Sequence, residues 1–186
     1  MRPAHVDAPS RTALLAPLTG AVLEIGAGDG ANLASFGPDV SWCGIEPDRR
    51  RRNRLLARAD GLGMDVQVDD GFAEHLEAPD ASVDAVVSTT VLCTVQDPTA
   101  ALAEVRRVLV PGGRFVFWEH VAAPAWTPVR VAQELWSWRA PDGCRANRDT
   151  LTSIRAAGFA DVQVSTFTQP GPLGLAIPFI AGHATT

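Results

Sequence analysis

The sequence contains no lysine and no tyrosine, and all 16 basic residues are arginine. These absences exclude a Schiff-base lysine and a tyrosine base or nucleophile. The 21 acidic residues outnumber the basic ones and give a net charge of −5. A nucleic-acid-binding domain usually carries a basic balance, so the charge argues against nucleic acid as the main partner. The length of 186 residues predicts a single domain over 1–186, with a short extension over 1–20.

Long apolar runs, a signal-peptide core and paired cysteines are also missing. No segment approaches 18 uninterrupted apolar residues, and the N-terminus has no apolar core of signal-peptide length. The cysteines Cys43, Cys93 and Cys144 lie far apart, which favours a reducing compartment over a disulfide framework. These features predict a cytoplasmic protein without stable membrane insertion. Scattered histidines and isolated cysteines offer no ligand spacing, so no metal site is predicted.

Short apolar runs alternate with helical patterns along most of the chain. Helices are predicted over 48–59, 98–109 and 147–157 from their capping residues and terminal glycines or prolines. The alternation predicts a doubly wound, mostly parallel α/β sheet. The last two strands are joined by a short proline- and glycine-containing turn, so they must pair antiparallel. The predicted strands are 21–26, 41–46, 65–68, 83–88, 114–119, 161–167 and 175–184.

The strongest local signal is VLEIGAGDGANL, in which a predicted strand runs into Gly26, Gly28 and Gly30. Glycines at such a turn permit positive φ angles and let a ligand approach the backbone closely. Glu46 follows about 20 residues after the first glycine, at the end of the second strand, where a carboxylate can accept both hydrogen bonds of a ribose diol. The loop and the acid together predict a nucleoside-containing ligand at the carboxyl edge of the sheet.

Two ligands compete for this loop. With Ala31 at its sixth position, the loop matches the G-x-G-x-x-A variant that binds NAD. Glu24, inside the first strand, would repel a pyrophosphate and suits a cationic ligand. S-adenosylmethionine carries an ammonium and a sulfonium group and no phosphate, so it is favoured over NAD. A tight turn without a ligand is the third interpretation.

Four segments, VLEIGAGDG, GIEPD, DGFAEHLEAPDASVDAVV and LVPGGRFVFWEH, resemble the successive motifs of class I S-adenosylmethionine-dependent methyltransferases. The segments STTVLCTV, FWEHVAAP, DGCRANRDTLTSIRAAGF and IPFIAGHA are similar to the small thiol S-methyltransferases within that superfamily. The resemblance implies a Rossmann-like, doubly wound, seven-stranded sheet, mostly parallel, with one antiparallel strand near the C-terminus. It also implies methyl transfer from S-adenosylmethionine, leaving S-adenosylhomocysteine, to a small, largely apolar acceptor. A thiol is the first candidate acceptor, and O-, N- or C-methylation is the alternative.

Many of these relatives have an aspartate after the third strand that accepts a hydrogen bond from the adenine amino group, and Phe72 stands at the matching position. Asp70 is one substitute. The other is packing of the Phe72 ring on adenine while backbone groups of Phe72 and Ala73 contact its edge. The residues expected to bind the cofactor are Glu24, Gly26, Ala27, Gly28, Gly30, Glu46, Pro47, Asp70, Gly71, Phe72, Ala73, Ser88 and Thr89.

Methyl transfer from a sulfonium mainly requires alignment of donor and acceptor, and a thiol with a pKa of about 8.5 needs little help from a base. His120, which closes the fifth predicted strand, is the candidate base, and a hydrogen-bonded rim histidine is the alternative. Cys93 follows the fourth strand and is expected either near the transferred methyl group or as a buried structural cysteine.

Residues 121–146 are expected to cover the acceptor site. Trp136 and Trp138 are two positions apart, so on one helix they cannot share a face. One of them would face the core and the other a pocket or a partner. The residues expected around the acceptor, with core packing as the alternative, are Trp126, Trp136, Trp138, Asp142 and Cys144.

The arginine run at 49–52, with Arg54 and Arg58, is interpreted as a solvated helix face, because the protein is acidic and no aromatic residues interleave there. The expected partner is a small-molecule methyl acceptor, and the chain is expected to be a monomer or a homodimer. Two other functions stay open: a cofactor-binding enzyme that catalyses a non-methylating step such as cyclisation, and a non-catalytic binding module.

Overall fold

The computed structural model describes residues 10–186, apart from the side chain of Leu173, so the first nine residues of the predicted extension lie outside the described residues. Two 3₁₀ turns lie at Leu33–Ser35 and Pro172–Gly174. The helices and strands in chain order are α1 (Arg11–Leu15), β1 (Gly20–Ile25), β2 (Val40–Ile45), α2 (Arg49–Leu62), β3 (Gln67–Asp69), β4 (Val83–Thr89), α3 (Pro98–Val108), β5 (Leu109–His120), α4 (Pro128–Arg139), α5 (Thr150–Ala156), β6 (Asp161–Pro170) and β7 (Ala176–Thr185).

The strands form one seven-stranded sheet in the order β3-β2-β1-β4-β5-β7-β6. Neighbouring strands from β3 to β5 pair in parallel, whereas β7 is antiparallel to both β5 and β6. This confirms the Rossmann-like, doubly wound architecture with one antiparallel strand. Chain order reverses between β1 and β4, so the turns that follow these strands diverge and leave a crevice at the carboxyl edge of the sheet.

The core lies on both faces of the sheet. Leu23 and Ile25 pack in the cluster that contains the buried face of α3, whereas Val22 packs with Leu55 of α2 on the other face. Successive side chains of a strand point to opposite faces, so a strand covered on both sides is apolar along its length. Within residues 10–186, no helix is long and apolar enough to cross a bilayer.

The predicted caps of α2 and α3 are confirmed. Asp48 accepts hydrogen bonds from the first backbone N–H groups of α2, and Gly63 ends that helix with a φ of 67°. Asp97 caps α3 in the same way, followed by Pro98 in its first turn. Both helices therefore begin immediately after a turn that lies at the carboxyl edge of the sheet.

Other element boundaries differ from the prediction. The helix expected over 147–157 is capped by Asp149 instead, because the segment before it is held to neighbouring loops through Arg145 and Arg148. Strand β5 begins at Leu109 instead of 114, because Leu109 pairs with Val83 ahead of an irregularity in the ladder. Helices α1 and α4 were not predicted from the sequence.

Candidate active site

A cavity of about 650 Å³ opens at the carboxyl edge of the sheet, a size that suits a small-molecule ligand. The turns after the parallel strands form most of its wall, and α4 with the segment after it closes one end. The predicted residues that line it are Gly26, Glu46, Pro47, Gly71, Phe72, Ala73, Cys93, His120, Trp136, Asp142 and Cys144. The lining residues that sequence reasoning missed are Ile45, Asp48, Arg51, Glu74, Thr90, Val91, Thr94, Val95 and Gln96.

The glycine loop lies between the turn after β2 and the turn after β4. Gly26 has a φ of 57°, and a Cβ added there would lie 2.6 Å from a methyl group of Val91. Ala27 is buried, and its N–H donates to the Ile45 carbonyl at 3.0 Å. Gly30 packs behind the loop, where an added Cβ would lie 2.9 Å from Leu33. Of the four loop residues expected to bind the cofactor, which are Gly26, Ala27, Gly28 and Gly30, Gly26 lines the cavity and the other three do not.

Glu46 is buried, and both of its carboxylate oxygens accept backbone hydrogen bonds. Oε2 accepts from the N–H of Gly28 at 2.9 Å, and Oε1 accepts from the N–H of Asp48 at 2.9 Å. A carboxylate has about four lone-pair positions, so each oxygen keeps capacity for another donor. The side chain is thus fixed at the cavity wall with free acceptor capacity, which is what a ribose diol requires.

Glu24 lies behind the glycine loop and is not part of the cavity wall. Its carboxylate accepts hydrogen bonds from Asn32 Nδ2 at 2.7 Å and from Trp42 Nε1 at 3.1 Å. Burial raises the pKa of Glu24 to about 7. Asn32 Nδ2 also donates to Thr89 Oγ1 at 2.9 Å. Glu24 and Thr89, both expected to bind the cofactor, are therefore placed as supports of the loop.

A second buried acid, Glu119, holds the turn after β4, a role that was not predicted from the sequence. Ser88 Oγ donates to Glu119 Oε1 at 2.6 Å, and the N–H of Val91 donates to the same oxygen at 3.0 Å. Burial raises the pKa of Glu119 to about 7. Ser88 is thus engaged inside the protein and does not line the cavity. An acid within an otherwise apolar strand was the signal available for finding this residue.

The turn after β3 presents its backbone and one aromatic ring to the cavity. Gly71, Phe72 and Ala73 line the wall, and the phenylalanine side chain is 61% exposed. Asp70 instead forms an ion pair with Arg52 at 3.0 Å and does not line the cavity. Of the two substitutes for the missing adenine-binding aspartate, the geometry therefore favours Phe72 and Ala73.

Two cysteines and a histidine meet at the other end of the cavity. One nitrogen of His120 and the sulfurs of Cys93 and Cys144 lie within 4.8 Å of one another. Cys144 Sγ is 3.3 Å from His120 Nε2, and the N–H of Arg145 donates to the Cys93 carbonyl at 2.7 Å. The three residues come from two loops and a strand, so their sequence spacing gave no indication that they converge.

The environment of these groups shifts their ionisation. Burial lowers the pKa of His120, whose Nδ1 is buried without a partner among the described residues. The neighbouring Cys144 thiol raises the pKa of Cys93, with burial adding to it, and the Cys93 thiol lowers the pKa of Cys144. His120 is therefore neutral near pH 7 and can accept a proton.

Only one of the three expected tryptophans reaches the cavity. Trp136 lines it and is 53% exposed, whereas Trp138 is 76% and Trp126 97% exposed and neither lines it. Trp136 and Trp138 take different faces of α4, as their spacing predicts, but the expectation that one of them faces the core is wrong, because both side chains are exposed. Buried Gln133 fixes that helix: its side chain accepts from the N–H of Ala123 and donates to a neighbouring carbonyl.

The family described as a methyltransferase domain matches residues 23–117. Human thiol S-methyltransferase TMT1B is 35% identical over 159 residues, which cover 82% of this chain and 64% of that protein. Human thiol S-methyltransferase TMT1A is 34% identical over 170 residues, covering 88% and 69%. The chain thus spans about two thirds of the length of these relatives.

Among solved structures, the [4+2]-cyclase SpnF superposes with a TM-score of 0.75 over 94% of this chain and 78% of that chain, at 21% identity. At that identity the likeness shows the fold alone. The methyltransferase-domain match, the two relatives and the glycine loop with its Glu46 partner lead to one assignment. The chain belongs to the class I S-adenosylmethionine-dependent methyltransferases.

Proposed function

We propose that this methyltransferase transfers the methyl group of S-adenosylmethionine to the sulfur of a small, largely apolar thiol. The observation that carries the proposal is the end of the cavity formed by Cys93, His120 and Cys144 beside the ring of Trp136. Soft sulfur groups, a neutral imidazole and an aromatic wall suit a sulfur nucleophile on an apolar body. The relatives named as thiol S-methyltransferases support the same acceptor class.

In this proposal the cofactor takes the opposite end of the cavity. The adenine would lie on Phe72, the ribose diol would donate to Glu46, and the methionyl part would pass Gly26. That placement directs the sulfonium toward the end with the cysteines. Residues 121–146 would cover the acceptor, with Trp136 and Asp142 as their contribution to the wall.

The chemical step is an in-line displacement. The acceptor sulfur forms a bond to the methyl carbon while the bond from that carbon to the sulfonium breaks, which gives a thioether and S-adenosylhomocysteine. The thiol proton passes to His120 Nε2 or to solvent. Because the methyl group is already activated, alignment of the two sulfurs supplies most of the acceleration, and orientation effects can reach about 7–11 kcal/mol.

Three acceptors that differ in one atom test the proposal: benzyl mercaptan, benzyl alcohol and benzylamine. Each is incubated with S-adenosylmethionine and the purified protein, and the products are measured by mass spectrometry together with released S-adenosylhomocysteine. We expect benzyl methyl sulfide and S-adenosylhomocysteine in equal amounts, with little product from the other two. Faster methylation of the alcohol or the amine would overturn the thiol assignment, as would donor binding without any methylated product.

A further inference from the structure

Cys93, His120 and Cys144 together have the composition of a zinc site that leaves one position open. In such a site three protein ligands hold the ion and the fourth position takes water or substrate, and two cysteines with one histidine are a known set. Thiolate and imidazole ligands favour Zn²⁺ over the hard cations Mg²⁺ and Ca²⁺. Within residues 10–186 this is the group of three potential ligands that lies close enough to share one ion.

The distances within the cluster fit a tetrahedral ion. Zn–S bonds of about 2.3 Å and Zn–N bonds of about 2.0 Å place tetrahedral ligand atoms about 3.5–3.8 Å apart. The three ligand atoms lie within 4.8 Å of one another, and the Cys144 Sγ to His120 Nε2 distance is 3.3 Å. The separations therefore differ from the tetrahedral values by at most about 1 Å, which side-chain adjustments at the three residues can supply.

The scaffold around the cluster already holds the ligands in place. The carbonyl of Leu92, next to Cys93, accepts from Arg148 Nη1 at 2.7 Å. The N–H of Cys144 donates to Asp142 Oδ1 at 3.1 Å. His120 ends β5 and is paired with the antiparallel strand β7. Because these contacts already restrict the three side chains, metal binding would cost less conformational entropy than it would with mobile ligands.

All three residues line the cavity, so the fourth position of the ion would face the acceptor space. Two thiolates, a neutral imidazole and Zn²⁺ have no net charge together, which suits a buried site. A thiolate acceptor in the fourth position would bring the charge to −1, and that charge attracts the sulfonium of the methyl donor.

We propose that Cys93, His120 and Cys144 bind one Zn²⁺ ion whose open position receives the sulfur of the thiol acceptor. This role rests on the thiol methyltransferase function proposed above. Binding of the ion releases the thiol protons of Cys93 and Cys144 to solvent and occupies the His120 nitrogen, so His120 then accepts no proton. The ion binds the acceptor as a thiolate, and the acceptor's thiol proton also leaves to solvent when the Zn–S bond forms. Methyl transfer then forms the C–S bond of the thioether, breaks the bond to the sulfonium and releases the neutral thioether from the ion.

Cobalt(II) reports on this site without any need for activity. Protein stripped of metal by a chelator and kept reduced with a phosphine is titrated with Co²⁺. We expect the intense visible d–d bands and the sulfur-to-cobalt charge-transfer band of a tetrahedral thiolate site, saturating at one equivalent and abolished by one equivalent of Zn²⁺. Absence of these bands would overturn the proposal.

Variants identify the ligands. Cys93→Ser, Cys144→Ser and His120→Gln are each expected to weaken Co²⁺ binding by at least about 100-fold. Cys43→Ser is the matched control, since Cys43 lies on β2 away from the cluster and should bind like the wild type. Circular dichroism of the metal-free variants checks that they fold. Zn²⁺ should raise the melting temperature of the wild type and of Cys43→Ser, and leave that of the three ligand variants unchanged. Unchanged bands in any one of the three ligand variants would refute the three-ligand assignment.

Addition of benzyl mercaptan to the cobalt protein tests the open position. The d–d bands should shift on addition of the thiol and stay unchanged with benzyl alcohol; unchanged bands with the thiol would overturn the acceptor role. Thiol methylation by a protein that binds no metal would refute the zinc site and leave the proposed function standing. Metal binding without thiol methylation would count against the proposed function.

Discussion

At the scale of single residues, Gly26 and Gly28 share a backbone conformation but not an environment. Their φ angles are 57° and 56°. An added Cβ would lie 2.6 Å from Val91 at the first glycine, whereas at the second its nearest neighbour is 3.9 Å away. Alanine in this left-handed region costs roughly 1–2 kcal/mol. A steric clash in a packed interior adds roughly 1–3 kcal/mol.

We therefore expect Gly26→Ala to lower the free energy of unfolding more than Gly28→Ala does. Urea denaturation of the two variants without ligand measures the difference, and each serves as the other's control because the backbone strain is the same. Equal destabilisation would show that the close approach of the loop to Val91 contributes nothing.

Glu46 is the residue on which cofactor affinity should depend most directly. Glu46→Gln replaces one acceptor oxygen by an NH₂ group, which cannot accept hydrogen bonds from Gly28 or Asp48, and it removes the charge that strengthens a ribose contact. The loss of one or two charge-assisted hydrogen bonds predicts about 10–100-fold weaker binding of S-adenosylhomocysteine in calorimetry. The exposed Glu77→Gln is the control. An unaltered affinity in the Glu46 variant would remove this carboxylate from the binding site.

Glu24 should make stability depend on pH. Its pKa rises from 4.5 in the exposed state to about 7 in the folded protein, because burial disfavours the charge. The folded state then binds the proton more tightly than the unfolded state, so stability falls as pH rises from about 4.5 to about 7. The slope from one such group is at most about 1.4 kcal/mol per pH unit.

Replacing this acid should reduce that slope. Urea unfolding of Glu24→Gln is measured between about pH 5 and about pH 7, which lies within the window just described. The free energy of unfolding should decline less with pH in this variant than in the wild type. Part of the decline should persist, because Glu119 is shifted in the same direction. Glu77→Gln again is the control, and a slope identical to that of the wild type in the Glu24 variant would contradict the assignment.

The two acids also show what residue patterns can predict. Glu46 could be found from the sequence because the end of the second strand has a fixed relation to the glycine loop in this architecture. The groups that the Glu24 side chain contacts could not be predicted from the sequence in the same way. Alternation along β1 gives two faces, but only the three-dimensional position of Asn32 and Trp42 shows that its face meets internal donors instead of a ligand.

At the scale of elements, α3 is tied to the segment before β4 by one arginine. Arg107 donates to both oxygens of Glu104 and to the carbonyls of Leu76 and Ala78. Its hydrogen bonds lower the pKa of Glu104 to about 2. The stabilisation from this acid is present above its unfolded pKa of 4.5 and is lost as pH falls from there toward 2.

Arg107→Lys should weaken this connection, because an ammonium group cannot reproduce the planar set of donors. We expect a loss of roughly 1–3 kcal/mol at neutral pH and a smaller additional loss in acid than the wild type shows. The neighbouring exposed Arg106→Lys on the same helix is the matched control. Equal effects of the two substitutions on chemical denaturation would mean that the contacts to Glu104 and the carbonyls add nothing specific.

The boundaries of helices and strands were predictable where capping residues next to them in the sequence set them. They were not predictable where pairing with a distant strand sets them. The start of α3 is set by the Asp97 side chain, which caps the first backbone N–H groups, and by Pro98 in the first turn. By contrast, β5 extends back to Leu109 because Val83 lies beside it. The convergence of His120 with Cys144 likewise depends on how a loop more than 20 residues away folds back over the strand, which no local pattern encodes.

At the scale of the whole molecule, the cavity has two ends built from different parts of the chain. Glu46 and the turn at 71–73 form one end, and β5, α4 and the segment after it form the other. The first end follows from motifs readable in the sequence. The second comes from loops whose positions depend on long-range contacts, such as the one between Arg145 and Cys93. Binding of donor and acceptor should therefore be separable by mutation.

Two tryptophans on α4 provide the test of that separation. Trp136 lines the cavity, whereas Trp138 is 76% exposed and points elsewhere. Trp136→Ala removes about 1–2 kcal/mol of apolar contact with the acceptor, so the KM for benzyl mercaptan should rise roughly 5–30-fold. The affinity for S-adenosylhomocysteine should stay within about twofold, because the cofactor end is untouched. Trp138→Ala should leave both values unchanged. A weaker cofactor affinity in the Trp136 variant, or equal KM changes in the two variants, would show that the two ends of the cavity are coupled through α4.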